Sequence, residues 1–315
     1  MKLIVCIALF FGGSLFAQST SRVKTLDFEP VDAQRQREVP VKCYFTEDGE
    51  SRPVILFSHG LGGSRNNNPY LGNHWAAQGY IVVFVQHAGS DEAVWKSAAP
   101  RDRFEKLKGA ANLRSTLDRF RDIPFVLDQL ERWNSEEGHP LNGRFDLEKI
   151  GMCGHSFGAV TTQALMGQKF PANRSFAEPR FDAFLPMSPS IPRKMDAAQA
   201  FGEIKAPVLC MTGTKDGSPI DPTATPESRT EVYQEMPEGD KYQLLLKDAE
   251  HHAFGDGGRP GQTAQLPHHH PAILNISTKF WDAYLKDDPA AKVWLQSSGV
   301  RKAAKLADGD IWEWK

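Results

Sequence analysis

The sequence predicts an α/β fold: a mostly parallel sheet with helices on both faces, built as one domain. Three observations carry this. Short, nearly continuous apolar runs recur: Pro53–Ser58 (PVILFS), Tyr80–Val85 (YIVVFV), Lys149–Cys153 (KIGMC), Phe181–Met187 (FDAFLPM), Pro207–Thr212 (PVLCMT) and Tyr242–Leu246 (YQLLL), with the alternating Val41–Phe45 before them. Strands buried on both faces read as unbroken apolar runs. Helical patterns stand between the runs, as a parallel sheet requires of its crossovers. No internal repeat and no long linker divides the chain.

The helices follow from spacing. Ile123, Val126, Leu127, Leu130 and Trp133 fall at i, i+3, i+4, i+7 and i+10, one apolar helix face. Asp122 reads as the N-cap of that helix, with Pro124 in its first turn. Phe157–Met166 fits a helix ending at Gly167, and Pro271–Lys286 reads as the last helix. Ala88–Asn112 is polar and weakly periodic, and reads as a loop with a short helix over the carboxyl edge of the sheet. Gly213–Ser228, with Pro219, Pro222 and Pro226, reads as loop.

Composition narrows the class. Of 315 residues, 40% are hydrophobic and 24% charged, which suits a folded soluble core and disfavours wholesale disorder. Lys and Arg number 37 against 39 Asp and Glu, a net charge of −2, so no basic excess points to nucleic acid or an anionic membrane surface. The chain opens with one cation, Lys2, then an apolar run from Leu3 to Phe16 and the small residues Ala17 and Ser19. That is a secretory signal pattern, too short for the ~20 residues of a membrane-spanning helix. The expectation is cleavage near Ala17, a domain over residues 18–315, a secreted or periplasmic location, and no stable membrane insertion after signal removal. Cys43, Cys153 and Cys210 would then remain, an odd and sparse set that is no disulfide framework.

The chemistry gathers at strand ends. Gly154-His155-Ser156-Phe157-Gly158 follows one predicted strand and opens a predicted helix, the context that gives G-x-S-x-G its meaning. The glycines let a sharp strand-to-helix turn expose the Ser156 hydroxyl, and the helix aims its first N–H groups at the reacting atom. A serine needs a base, and the base an orienting acid; in this arrangement acid and then histidine follow in chain order. Asp216 stands just past the run Pro207–Thr212, with Asp221 as a fallback. His251 and His252 both follow the run Tyr242–Leu246, and position favours His251. An oxyanion needs two N–H donors: Phe157, next to the nucleophile, and Leu61 in the loop Ser58-His59-Gly60-Leu61-Gly62-Gly63, with Gly62 behind it. His59 is read as a hydrogen-bonding support for that loop. Trp95 and His155 are candidates to line the substrate pocket. His268-His269-His270 lack the partners of a metal site, so none is expected.

With these residues in place, the sequence resembles α/β-hydrolases of the predicted dienelactone hydrolase and platelet-activating-factor-acetylhydrolase-like group. The matching stretches are Arg35–Tyr44, Val54–Arg65, Tyr70–Asp91, Arg121–Leu130, Ile150–Gly158, Pro207–Asp216 and Ala249–Phe254. The resemblance implies the α/β-hydrolase fold and a serine esterase with Ser156, Asp216 and His251 as triad. It also implies Leu61 and Phe157 as oxyanion donors, and no cofactor. Dienelactone hydrolases themselves carry Cys where this chain has Ser156, so the lactonase label is not carried over. The expected function is hydrolysis of short-to-medium acyl, lipid or polymeric esters through an acyl-enzyme. The alternatives are a serine peptidase on the same scaffold and a catalytically silent binding protein. In the usual strand order of that fold, another strand separates Cys153 from Cys210, two spacings of ~4.8 Å. That is beyond the reach of a disulfide.

Overall fold

A computed structural model describes residues 22–193, 195–218, 220–256 and 266–315. The expected signal and its cleavage site lie outside these residues. Nine strands form one sheet: β1 (Val23–Phe28), β2 (Val41–Thr46), β3 (Arg52–Ser58), β4 (Ile81–Val85), β5 (Phe145–His155), β6 (Ala183–Met187), β7 (Val208–Lys215), β8 (Lys241–Glu250) and β9 (Ile311–Trp314). Their spatial order is β1-β2-β4-β3-β5-β6-β7-β8-β9. The stretch from β4 through β8 is parallel, and β1, β2 and β9 pair antiparallel at the two edges.

Each apolar run became a strand. The two edge strands at the chain ends, VKTLDF and IWEW, were not read from the sequence. Each mixes charged with apolar residues and is only partly covered, so neither shows the unbroken apolar signature.

Side-chain alternation divides the interior between two faces. Ile55, Phe57, Val82 and Phe84 pack against α1 (Pro69–Ala77) and the long helix near the C-terminus (His269–Leu285), through Leu71, Trp75, Ile273, Phe280 and Trp281. Val54, Leu56, Ile81 and Val83 face the other layer, through Ile123, Val126, Leu127 and Leu130. Cys153 belongs to the first layer and Cys210 to the second, with β6 between their strands. Both are buried free thiols, as is Cys43.

The segment after β4 holds two short helices, α2 (Ala93–Lys96) and α3 (Arg103–Ala110), more regular structure than the single one expected. The helix carrying the apolar stripe, α4 (Leu113–Ser135), starts ten residues earlier than the spacing suggested. Its cap is Asn112, whose side chain accepts from the Ser115 N–H at 3.0 Å. Pro124 therefore lies inside the helix. Asp122 is no cap. It is wholly buried and takes Arg37 in a two-pronged pair at 2.8 Å, Arg35 at 2.8 Å, and the ring of His87 at 2.9 Å. Tertiary burial of Arg119, Phe120, Asp122 and Ile123 outweighs the local stop signal of a proline.

Burial pushes the Asp122 carboxyl up, but the hydrogen bonds from His87 and Arg37 outweigh this and hold it below the usual carboxylate range. Removing the charge leaves two arginines facing an uncharged amide in a closed space. Asp122→Asn should cost about 3 kcal/mol in urea unfolding, against a near-zero effect for Asp308→Asn on the surface.

Candidate active site

Ser156, Asp216 and His251 stand at the carboxyl ends of β5, β7 and β8, where crossover loops converge in an open parallel sheet. Ser156 is the hinge between β5 and α5 (Phe157–Leu165), with φ 57° and ψ −114°. A side chain pays for such a backbone only under strong constraint. The constraint is visible in its neighbours. A Cβ on Gly158 would lie 1.8 Å from the Ser58 carbonyl oxygen, and one on Gly154 would lie 2.3 Å from the Gly158 oxygen. Neither atom can yield, since both are main chain. Gly158→Ala should therefore exceed the ~1–3 kcal/mol of ordinary overpacking; soluble yield and circular dichroism would show whether the variant still folds.

The three side chains meet. Ser156 Oγ lies 2.8 Å from His251 Nε2, and His251 Nδ1 lies 2.7 Å from Asp216 Oδ1. Asp216 is fully buried, and its second oxygen accepts from the Thr212 hydroxyl at 2.9 Å. An acceptor at Nδ1 puts the ring proton there, so Nε2 is free to accept from the serine hydroxyl. His252, the competing imidazole, points its Nδ1 toward Glu250 at 3.6 Å. Asp221, the fallback acid, pairs instead with Arg193 at 2.9 Å near the surface.

Opposite the serine, the loop after β3 closes on the elbow. The Gly60 position faces Ser156 directly, since a Cβ there would lie 3.5 Å from Ser156 Cβ. Two of the loop's N–H groups are committed: Gly62 donates to Ser90 at 2.8 Å and Gly63 to Gly60 at 3.0 Å. The Leu61 and Phe157 N–H groups have no protein acceptor among the described residues. His59 supports the loop, wholly enclosed. Its Nε2 accepts from the His87 N–H at 3.1 Å, which leaves the proton on Nδ1 to donate to the Gly60 carbonyl at 2.7 Å. That carbonyl and the Leu61 N–H belong to one peptide unit, so His59 holds the donor from behind.

Trp95 and His155 touch this machinery through main chain. The Trp95 indole donates to the Gly62 carbonyl at 2.7 Å and, with Leu107, fills the space beside Gly62. His155 Nε2 lies 3.0 Å from the His251 carbonyl and so ties the strand before Ser156 to the turn that carries His251. Burial, then the neighbouring His251, push the His155 ring down to about 3, so it stays neutral. The three consecutive histidines sit apart. His269 bonds the Lys247 carbonyl, and His270 bonds the Gly255 carbonyl and stacks on Tyr70 at 3.7 Å. Among the described residues no group of three suitable side chains could hold a metal ion.

Comparison with solved structures gives a ferulic acid esterase from Streptomyces cinnamoneus, with a TM-score of 0.63 over 86% of this chain and 92% of that one, at 21% identity. The fold is that of the α/β-hydrolases. In sequence, the family described as platelet-activating factor acetylhydrolase, isoform II, matches residues 9–114. Platelet-activating factor acetylhydrolase of Canis lupus familiaris is 34% identical over 149 residues, 37% of this chain and 32% of that protein. The Bos taurus protein of the same name is 29% identical over 144 residues, 36% of this chain and 31% of that protein. These matches span about a third of the curated relatives' length. The resemblance read from the sequence is thus borne out. The family match contains the loop after β3 and ends before Ser156.

Two residues of this hydrolase fold escaped sequence reading. Arg229, buried in α6 (Pro226–Gln234), places Nε 3.1 Å from Asp216 Oδ1 and bonds the Ser188 and Pro189 carbonyls at 2.7 and 2.8 Å. Arg119, buried in α4, grips the loop after β3. The signal was present in each helix. Arg119 lies at i−4 from Ile123 on the apolar stripe, and Arg229 shares a face with Val232 and Tyr233. A cation on a core-facing position needs a partner inside.

Burial pushes the Asp216 carboxyl up, but the hydrogen bond from His251 and the charges of His251 and Arg229 outweigh this and bring it down to about 2. A folded-state value below the ordinary 3.8 gives stability that is present above about pH 4 and lost as pH falls toward 2. Urea midpoints measured between pH 5 and 2 should fall for the parent protein. They should fall less steeply, by close to one proton, for Asp216→Asn.

Proposed function

We propose that the protein is a serine carboxylic-ester hydrolase acting through an acyl-enzyme. One observation carries the reading: a continuous hydrogen-bond chain from Ser156 Oγ through His251 to buried Asp216, at 2.8 and 2.7 Å. In this reading Ser156 Oγ attacks the ester carbonyl as His251 Nε2 takes its proton. The carbonyl oxygen becomes an oxyanion and receives the Leu61 and Phe157 N–H groups. His251 returns the proton to the leaving alkoxide, and water repeats the sequence to free the acid. Asp216 stays ionised throughout, holding the imidazole tautomer and balancing the imidazolium.

The substrates proposed are short-to-medium acyl, lipid or polymeric esters. The acetylhydrolase name of the sequence relatives and the esterase name of the structural neighbour support this class. Trp95 and Leu107 beside Gly62 supply an apolar wall near the donors. Residues 1–17 are read as an export signal and 18–315 as the hydrolase domain, from the pattern of Lys2, the apolar run and Ala17. Among the described residues no helix is long and apolar enough to cross a membrane.

Ser156→Ala should keep the fold and lower hydrolysis of p-nitrophenyl butyrate by about 10³-fold or more. It should also abolish labelling by a fluorophosphonate probe. An undiminished rate in that variant would sink the mechanism. Matched ester and amide substrates separate an esterase from a peptidase, and a panel of acyl lengths ranks the ester classes.

A further inference from the structure

Arg119 is the least expected charge in the molecule. It is fully buried, yet no carboxylate among the described residues lies within ion-pair distance of it. Asp122 and Asp91 act on it only at longer range. Its contacts are neutral groups instead. Nη1 donates to the His59 carbonyl at 2.7 Å and to the Ser58 hydroxyl at 3.3 Å, and Nε donates to the Ser90 hydroxyl at 2.8 Å. The guanidinium lies 4.3 Å from the centre of the Phe157 ring. Burial of an unpaired cation is costly, so a site that keeps one is answering to something besides stability.

The contacts share one feature. His59 precedes the Gly60–Leu61 peptide, whose N–H is one uncommitted donor, and Phe157 carries the other on its own main chain. Arg119 thus grips both segments that must supply the oxyanion hole, one through a carbonyl and one through a ring face. Ser90, its third partner, also receives the Gly62 N–H on its carbonyl, which draws the next residue of the loop away from the hole. The cation lies behind the two donors in a closed interior, where its field acts with little screening on charge developing in front of them.

We propose that Arg119 is a positioning residue of the oxyanion hole. It holds the Leu61 and Phe157 N–H groups in register and biases that site toward negative charge. Burial, against the pull of Asp122 and Asp91, brings the Arg119 guanidinium down only to about 9, so it remains a cation at neutral pH. The proposal rests on the ester-hydrolase reading and deepens it.

A positioning role makes a prediction that a purely structural one does not. The loss falls on the tetrahedral state and not on binding of the ground-state ester. Arg119→Met, assayed with p-nitrophenyl butyrate and normalised to active sites titrated with a fluorophosphonate, should lower kcat about 10- to 100-fold with KM nearly unchanged. Inactivation by diethyl p-nitrophenyl phosphate, whose phosphoryl oxygen occupies the same hole, should slow by a similar factor. Arg119→Lys, which keeps the charge and can reach the His59 carbonyl, should recover part of the loss. A parental kcat per titrated site in Arg119→Met, even with a lowered Tm, overturns the proposal. If Arg119→Met does not accumulate as folded protein, Phe157→Leu decides. It keeps the backbone donor but removes the ring beside the cation, and a several-fold drop in kcat at constant KM supports the proposal while a parental kcat overturns it. Failure of the parent protein to react with the fluorophosphonate would instead remove the ester-hydrolase reading, so the two failures are told apart.

Discussion

The site hangs on the approach of Gly158 to the main chain of Ser58. The notional Cβ distance of 1.8 Å means that helix α5 and the end of strand β3 touch backbone to backbone. That approach does two things together. It forces the strand-to-helix turn so tight that Ser156 takes φ 57°, and it brings the loop after β3 against Ser156. The two strands are parallel neighbours with Ser58 opposite Gly154, so the hydroxyl and the Leu61 N–H already share one edge of the sheet, and the Gly158 contact closes the gap between them. The parallel order then delivers Asp216 and His251 from the next strands but one and two, to the same carboxyl edge.

Around that contact the interior is unusually polar. On one side, Arg229 touches the Asp216 carboxylate and ties it to the Ser188 and Pro189 carbonyls. On the other, Arg119, Ser58, His87 and Asp122 form a linked chain behind the loop. Burial, then the Arg119 charge, push the His87 ring down to about 4, so it is neutral in this chain. It passes a hydrogen bond from the Ser58 hydroxyl to the Asp122 carboxylate without adding charge. Buried networks of this kind tolerate little loss, because each member left unpaired costs its own desolvation. They also hold backbone segments more sharply than apolar packing does, which is what a hydrogen-bonding site for a short-lived anion requires.

The long helix α7 (His269–Leu285), which two shorter helices follow, and α1 serve a different end. Trp75 and Trp281 meet edge to face with centroids 5.9 Å apart, under the half of the sheet opposite α4. His270, from the histidine triplet, stacks on Tyr70 and bonds Gly255, close behind the turn that carries His251. The triplet thus ties the helix to its surroundings through one nitrogen of each ring: His268 Nε2 lies 3.2 Å from an Asp310 oxygen, and the Nε2 atoms of His269 and His270 lie on the Lys247 and Gly255 carbonyls.

Much of this was legible in the amino-acid sequence because it depends on local pattern. Strands covered on both faces must be apolar throughout, and a serine elbow must have glycines on either side. Those demands fall on consecutive residues, so KIGMC-GHSFG and the runs before Asp216 and His251 carry them openly. What depended on distant partners was hidden. The spacing of Ile123 to Trp133 marked a helix but not its start, because Arg119 and Asp122, in the turns before the stripe, are placed by contacts with residues 35, 37, 59 and 87. The two edge strands had too little burial to leave a signature. Between His251 and His252, only the tertiary structure could choose which ring faces Ser156, since the two are adjacent in sequence and differ only in which way the turn points them. Sequence alone determined the residue types and the sheet edge at which they gather. The packing of main chain on main chain decided their distances, and with them which buried charges stand behind the site.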